Sequence, residues 1–271
     1  LKTYSKDLKA LVFFKEQATP GFWDKHWGGD DYYQHLIRYK NLRFIRHYTQ
    51  KYLPKGARVL EGGCGQCEKV YTLCNNSYQA YGVDFAQETL RSVKNAMPEL
   101  KLIIGNVESL MFKDMTFDGY WSLGVIEHFY DGYDKIALEM GRILKPGGYL
   151  FLTFPQMSCL RKIKAHLNLY LQFNRDKVDK ERFYQFALDR KLVIEKFRRL
   201  GFKEVRISAT DGLKGLKDEV SLLKPPLQKL YDYKGKSIII RGTRYLLDKI
   251  LAPLTGHSAF VIFKKDRNLD S

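Results

Sequence analysis

A doubly wound α/β fold, with a mostly parallel sheet and helices on both faces, is predicted by three observations. Short apolar runs at 58–62, 80–85, 101–105, 117–123 and 148–154 alternate with segments of helical periodicity near 67–75, 87–96 and 133–144. The first run stops abruptly in glycines, R-V-L-E-G-G-C-G-Q-C-E-K-V over 58–70, and a helix follows. A chain of 271 residues is long enough to bury one full core with additions to it. Alternation of this kind makes a parallel sheet, and ligands of such sheets lie outside the carboxyl ends of the strands, which places the glycine loop in the site.

In chain order, residues 4–17 suit a short helix, ended by Thr19-Pro20-Gly21 ahead of Phe22, Trp23 and Trp27. Those aromatics suit burial against the core, or a cover beside a substrate pocket. From 32 to 53 the residues Tyr33, Ile37, Phe44, Ile45, Tyr48 and Tyr52 approximate one helical face, and Pro54 to Gly56 ends it. Residues 1–55 thus read as an N-terminal helical cap on a domain running from 56 to 271. After the fifth strand run the alternation lapses. Met157, Leu160, Ile163, Leu167 and Tyr170 recur at helical spacing with Arg161, Lys162 and Lys164 between them, giving a basic amphipathic helix in an insert at about 156–185. A helix over 186–200, a strand over 202–208 and a final, antiparallel strand over 258–265 complete the sheet, around a second insert at about 211–256.

Composition narrows the function classes. The net charge is +16, and it is uneven: 18 Lys+Arg stand against 17 Asp+Glu in residues 1–140, and 28 against 13 beyond. A basic C-terminal half suits an anionic partner such as a lipid headgroup, a phosphorylated substrate or nucleic acid, and equally a plain solvated surface. Three of the four cysteines, Cys64, Cys67 and Cys74, crowd one strand-loop-helix unit, unlike a secreted disulfide framework. No secretory pattern opens the sequence, and its apolar stretches fall short of the roughly 20 residues that span a bilayer. The expectation is a cytoplasmic protein, soluble or membrane-peripheral.

The glycine turn narrows the chemistry. It lacks the G-K-[ST] of a phosphate loop and the G-x-G-x-x-G of dinucleotide folds, whereas Asp84 in Y-G-V-D-F, about 20 residues on, suits the two ribose hydroxyls of an adenosine. Cys64-Gly-Gln-Cys67 has no second ligand pair for zinc, so no metal is expected, although Cys67 at a helix start could carry a lowered thiol pKa.

The motifs V-L-E-G-G-C-G, Y-G-V-D-F, G-N-V-E-S-L, F-D-G-Y-W-S-L-G-V-I-E-H and I-L-K-P-G-G-Y-L-F-L-T-F-P, in that order, resemble the class I S-adenosylmethionine-dependent methyltransferases, in particular their small-molecule and lipid-modifying branch. The resemblance implies a Rossmann-like fold and S-adenosyl-L-methionine as cofactor. It implies Glu61 near the methionine amino group, Gly63 and Gly65 against the cofactor backbone, and Asp84 on the ribose. Phe85 would cover the adenosine, Asn106 and Val107 would lie at the adenine edge, and Leu123 and Gly124 beside the methionine. Glu61 replaces the family's usual Asp, Cys67 a frequent glycine, and Asn106 a common Asp. For a hydroxyl acceptor a base must take the proton; His128 is the first candidate and Glu127 the second, against a packing role for His128. Tyr130, Tyr133, Tyr170, Phe183 and Tyr184 are candidate acceptor contacts or core residues. The expected acceptor is a small molecule, lipid or lipid-linked glycan, reached from an anionic membrane surface. A nucleic-acid methyltransferase is the alternative, although [ND]-P-P-[YF] and the Pro-Cys of cytosine enzymes are missing, and an inactive cofactor-binding scaffold is another. The oligomeric state is left open.

Overall fold

A computed structural model of the chain describes residues 1–29, 31–174 and 180–266; the stretch 175–179 of the expected first insert lies outside them. The chain begins with a hairpin, β1 (Lys2–Ser5) and β2 (Ala10–Phe14), followed by α1 (Pro20–Trp27), α2 (Tyr32–Arg38) and α3 (Arg43–Tyr52). The alternating unit follows as β3 (Arg58–Gly62), α4 (Glu68–Asn75), β4 (Gln79–Asp84), α5 (Gln87–Ala96), β5 (Lys101–Ile104), β6 (Phe117–Leu123), α6 (Asp134–Ile143) and β7 (Leu144–Pro155). Beyond it come α7 (Cys159–His166), β8 (Leu171–Gln172), β9 (Phe183–Ala187), α8 (Arg190–Arg199) and β10 (Phe202–Thr210). The last elements are α9 (Gly212–Glu219), α10 (Lys224–Tyr231), α11 (Ile238–Thr255) and β11 (Ser258–Lys265).

The main sheet has the order β10-β11-β7-β6-β3-β4-β5, parallel from β7 to β5, with β11 antiparallel to both its neighbours. Its strands carry apolar side chains on both faces, as period-2 geometry requires of a strand covered twice. Leu60, Tyr120, Leu152 and Val261 meet α6 and α8 on one side. Val59, Trp121, Phe151 and Phe260 meet α3, α4 and α5 on the other. The Trp121 ring stacks on Phe151 at 4.2 Å, and its Nε1 donates to Thr49 Oγ1 on α3 at 3.1 Å. The chain runs outward from β3 to β4 and β5, then returns to place β6 on the other side of β3. The order therefore reverses between β3 and β6, and the crevice at their carboxyl ends is the expected ligand position.

Three sequence expectations are corrected. Residues 4–17 form no helix: β1 and β2 pair with each other, β8 adds to β1, β9 adds to β2, and a separate four-stranded sheet results. The run Ala10-Leu-Val-Phe-Phe14 is β-prone, and pairing with β9 decides the matter. The helix after β7 is real, but its buried side is mixed, with Met157 and Tyr170 buried as expected. Ile163 and Leu167 are exposed, while Arg161 is 1% exposed and its Nε donates to Glu219 Oε1 at 3.0 Å. A buried guanidinium needs such a partner. The single face read over 32–53 is divided between α2 and α3. Among the described residues no helix is long and apolar enough to cross a membrane.

Candidate active site

β3 delivers Glu61 and Gly62 to the crevice, and the chain then turns through Gly63 (φ +74°), Gly65 (φ +49°) and Cys67 (φ +64°) into α4. The close approach needs glycine: a Cβ on Gly63 would lie 2.5 Å from Val125 Cγ2, and one on Gly65 would lie 3.2 Å from the Trp27 indole. Val83 and Asp84, at the end of the neighbouring strand, pin the turn. The amides of Gly63 and Cys64 donate to the Val83 carbonyl at 2.8 and 3.1 Å, and the Gly65 amide donates to Asp84 Oδ2 at 2.8 Å. Asp84 Oδ1 accepts from the Ala86 amide at 2.9 Å.

Glu61 is wholly buried, and among the described residues neither carboxylate oxygen has a hydrogen-bond partner. Among the same residues its one close cation is Lys69 Nζ on α4, 3.6 Å from Oε1. Loss of water pushes the Glu61 carboxyl up to about 8, and the Lys69 ammonium pulls the other way. A second ammonium at these oxygens would favour the ionised form.

Phe85 follows Asp84 and lines a cavity of about 350 Å³ that also reaches Thr19, Pro20, His128, Tyr130 and Phe183. Asn106 is exposed; its Oδ1 accepts from the Glu108 amide at 2.9 Å, so its amide oxygen already has one partner. Val107 is buried beside it. Leu123 ends β6, and Gly124, at φ +71°, turns the chain so that its amide donates to the Thr153 carbonyl at 3.1 Å.

That turn leads into a single 3-10 turn, Ile126–His128. His128 Nδ1 lies 2.8 Å from the Tyr184 carbonyl oxygen on β9. A carbonyl only accepts, so Nδ1 carries the proton and Nε2 keeps its lone pair. Burial lowers the imidazole pKa to about 4, so the ring is neutral near pH 7. Glu127 is buried too, its Oε2 has no hydrogen-bond partner among the described residues, and burial raises its carboxyl to about 8. The Tyr184 ring packs edge-on against His128 at 5.1 Å.

The other wall comes from α1, which the sequence placed either in the core or over a pocket. Thr19 caps this helix, accepting from the Phe22 amide at 3.2 Å, and Pro20 follows in its first turn. Trp23 meets the His128 ring edge-on at 5.1 Å, and Trp27 stacks on Trp23 at 5.6 Å while lying against Gly65. Asp24 Oδ1 accepts from the Thr89 amide and hydroxyl, and Gln66 Nε2 donates to the Trp27 carbonyl at 2.8 Å, so α1 is fastened to both α5 and the glycine turn. The signal for these neighbours was local: F-W-D-K-H-W directly after a capped Thr-Pro, with Trp23 and Trp27 one helical turn apart.

The candidate acceptor residues are dispersed. Tyr184 stands beside His128, and Tyr130 and Phe183 line the same cavity. Tyr133 faces a second cavity of about 330 Å³ near α6 and α8, which shares Tyr130 with the first. Tyr170 is elsewhere: its hydroxyl donates to Glu219 at 2.6 Å within the buried cluster of Arg161, Lys164 and Lys2. The thiols of Cys64 and Cys67 are buried 3.6 Å apart, and burial raises the pKa of Cys67 rather than lowering it.

The arrangement fits S-adenosylmethionine. The orphaned Glu61 carboxylate suits an ammonium, the glycine turn leaves room that a Cβ would fill, and Asp84 closes the far side of that turn. Residues 60–152 match the family model described as a methyltransferase domain. A demethylmenaquinone methyltransferase of Bacillus licheniformis is 30% identical over 171 residues, which span 60% of this chain and 73% of that enzyme. A phthiotriol/phenolphthiotriol dimycocerosates methyltransferase of Mycobacterium ulcerans is 32% identical over 102 residues, 36% of this chain and 37% of that one. In fold the chain is similar to a solved S-adenosylmethionine-dependent methyltransferase of Methanosarcina mazei, at a TM-score of 0.55 and 17% identity, over 83% of this chain and 99% of that one. The chain therefore belongs to the class I S-adenosylmethionine-dependent methyltransferases and uses S-adenosyl-L-methionine as its cofactor.

Proposed function

We propose that the enzyme methylates a hydroxyl of a small-molecule or lipid acceptor, with His128 as the base. The observation that carries this reading is the hydrogen bond from His128 Nδ1 to the Tyr184 carbonyl, which leaves Nε2 free to receive a proton. The bound cofactor supplies an electrophilic methyl group on a sulfonium centre. Glu61 would hold the cofactor's ammonium, Gly63 and Gly65 would admit its backbone, and Asp84 would orient its ribose. Phe85, Asn106 and Val107 would serve its adenosine end, and Leu123 and Gly124 its methionine end. Trp23, Phe22 and Tyr184 exclude water around the His128 ring. His128 Nε2 would take the acceptor's hydroxyl proton, while the cofactor, when bound, would give up the methyl group and keep the electron pair of the broken sulfur–methyl bond as S-adenosylhomocysteine. Glu127 is the second candidate base; its carboxyl, raised to about 8 by burial, would have to lose its own proton before it could take one.

Tyr130 and Phe183 border the acceptor space, and the second cavity beyond Tyr130 offers room for an apolar extension of the acceptor. Relatives whose names specify demethylmenaquinone and phthiotriol dimycocerosates support an acceptor of the small-molecule or lipid kind. The test is His128→Gln, measured by single-turnover methyl transfer to hydroxyl acceptors and by calorimetry with S-adenosylhomocysteine. The expected result is a rate loss of about 10²–10⁴-fold with cofactor affinity kept. Undiminished turnover would remove His128 from the mechanism.

A further inference from the structure

We infer that the α10–α11 segment is a docking surface for an anionic lipid membrane. An ordinary surface helix buries one face against its domain. α10 buries no side chain, and the 18-residue α11 buries only Ala252 and Thr255, near its end. Leu222, Ile238 and Ile239 are 85%, 84% and 80% exposed, and Leu246, Ile250 and Leu254 are exposed as well. Ile239, Leu246, Ile250 and Leu254 stand at i, i+7, i+11 and i+15, which places them on one stripe of the helix. An apolar stripe of this length on open surface marks an interaction site.

Charge identifies the occupant. Lys224 and Lys229 on α10, Lys236 just ahead of α11 and Lys249 beside Ile250 accompany the stripe, and none has an ion-pair or hydrogen-bond partner among the described residues. An aliphatic stripe beside unpaired cations complements the acyl boundary and headgroups of an anionic leaflet. A second copy of this chain would set the same cations against themselves across a two-fold axis. Nucleic acid would call for stacking platforms, and the stripe offers Ile and Leu instead. The groove of about 920 Å³ beside it is not the anion site, because Lys234, Arg241 and Arg244 on its walls are balanced by Asp211, Asp232 and Asp248.

Topology links this surface to catalysis. β10 and β7 both run antiparallel to β11, so β10 ends at the same edge of the sheet as β7, where β3 and β6 also end. The segment leaves the sheet at Thr210 and returns at Ser258, which pair with each other, and Ser258 pairs with Pro155. Docking thus takes place on the edge that carries Glu61 and His128. The inference does not depend on which acceptor atom is methylated.

The experiment is flotation of the full chain with phosphatidylcholine vesicles, with and without phosphatidylglycerol. Association is expected only with phosphatidylglycerol present, and weaker as salt is added. The triple variant Lys224→Gln, Lys229→Gln, Lys236→Gln should lower partitioning on the order of a hundredfold, at about fivefold per charge. The double variant Ile239→Ser, Leu246→Ser should also detach the protein. Unchanged calorimetric affinity for S-adenosylhomocysteine shows that both variants remain folded. No association with phosphatidylglycerol vesicles would overturn the inference, as would association that neither variant weakens. A dimer in light scattering that the double variant dissociates, without vesicle binding, would overturn it in favour of a second copy.

Discussion

Around the β3–β6 crevice even the carboxylates are buried, with Glu61, Asp84 and Glu127 each no more than 5% exposed, whereas along α10 no side chain is buried at all. Both regions sit on one edge of one sheet, yet different forces hold them. The crevice is fixed by apolar layers on both sheet faces and by backbone amides that satisfy Asp84. The α10–α11 segment is fastened mainly through α9 and the last residues of α11. There the Thr255 hydroxyl donates to the Gly212 carbonyl at 2.7 Å, and a Cβ on Gly215 would run into the Thr255 carbonyl. A preorganised site needs its groups locked before the ligand arrives, whereas a surface that meets a soft partner needs exposure.

Substitutions can break this contrast or sharpen it. Trp121→Ala should have the largest effect, because it removes the stack on Phe151 and the hydrogen bond to Thr49 beneath the crevice. A loss of about 3–5 kcal/mol is expected in chemical denaturation. Glu61→Gln keeps the shape but removes the charge proposed to answer the cofactor's ammonium. Calorimetry should show cofactor affinity about ten- to a hundredfold lower, as for loss of a charge-assisted hydrogen bond.

The pH dependence of binding tests the same carboxylate without a mutation. Its pKa rises from an ordinary 4.5 to about 8 on folding, so between those values the folded chain holds a proton that the unfolded chain has released. This group's contribution to stability therefore falls as pH rises through that window. A bound ammonium prefers the ionised carboxylate, so affinity should strengthen up to pH 8, roughly tenfold per unit, with a proton released on binding. Titrations in buffers of different ionisation heat would show that release. The smallest effect belongs to the exposed stripe. Leu246→Ser should change unfolding free energy by no more than about 0.5 kcal/mol, and a larger loss would mean that the stripe is packed in solution.

Much of the main sheet was legible because its signals are local. Strand periodicity, the stop at Gly62 and the position of Asp84 located β3, α4 and β4 to within a residue. The hairpin of residues 2–14 was not legible, since the pairing that makes it a strand comes from β9, far along the chain. Arg161 was read as a solvated charge on a basic helix. Its partner is Glu219, 58 residues later, and no spacing rule connects them. In the candidate site, Glu61, Gly63, Gly65 and Asp84 converge as their order in the sequence suggested. The wall formed by Trp23 and Trp27 was one of two readings of an aromatic cluster, and choosing between them required the contacts with His128 and Gly65. Tyr170 looked like the other tyrosines in sequence and lies in the ionic cluster instead, because a phenol can satisfy a buried carboxylate as readily as it can line a pocket.

The neck at Thr210 and Ser258 also bears on how such an enzyme could be rebuilt. The whole α9–α11 segment hangs between two residues that are already neighbours in an antiparallel pair, so a short turn could bridge them without moving β10 or β11. What resists a clean exchange is Glu219, whose removal would strand the Arg161 guanidinium in the interior. A graft that replaces the segment while returning one carboxylate to that position, or changing Arg161 with it, would turn the α9–α11 segment into an interchangeable module on an unaltered main sheet.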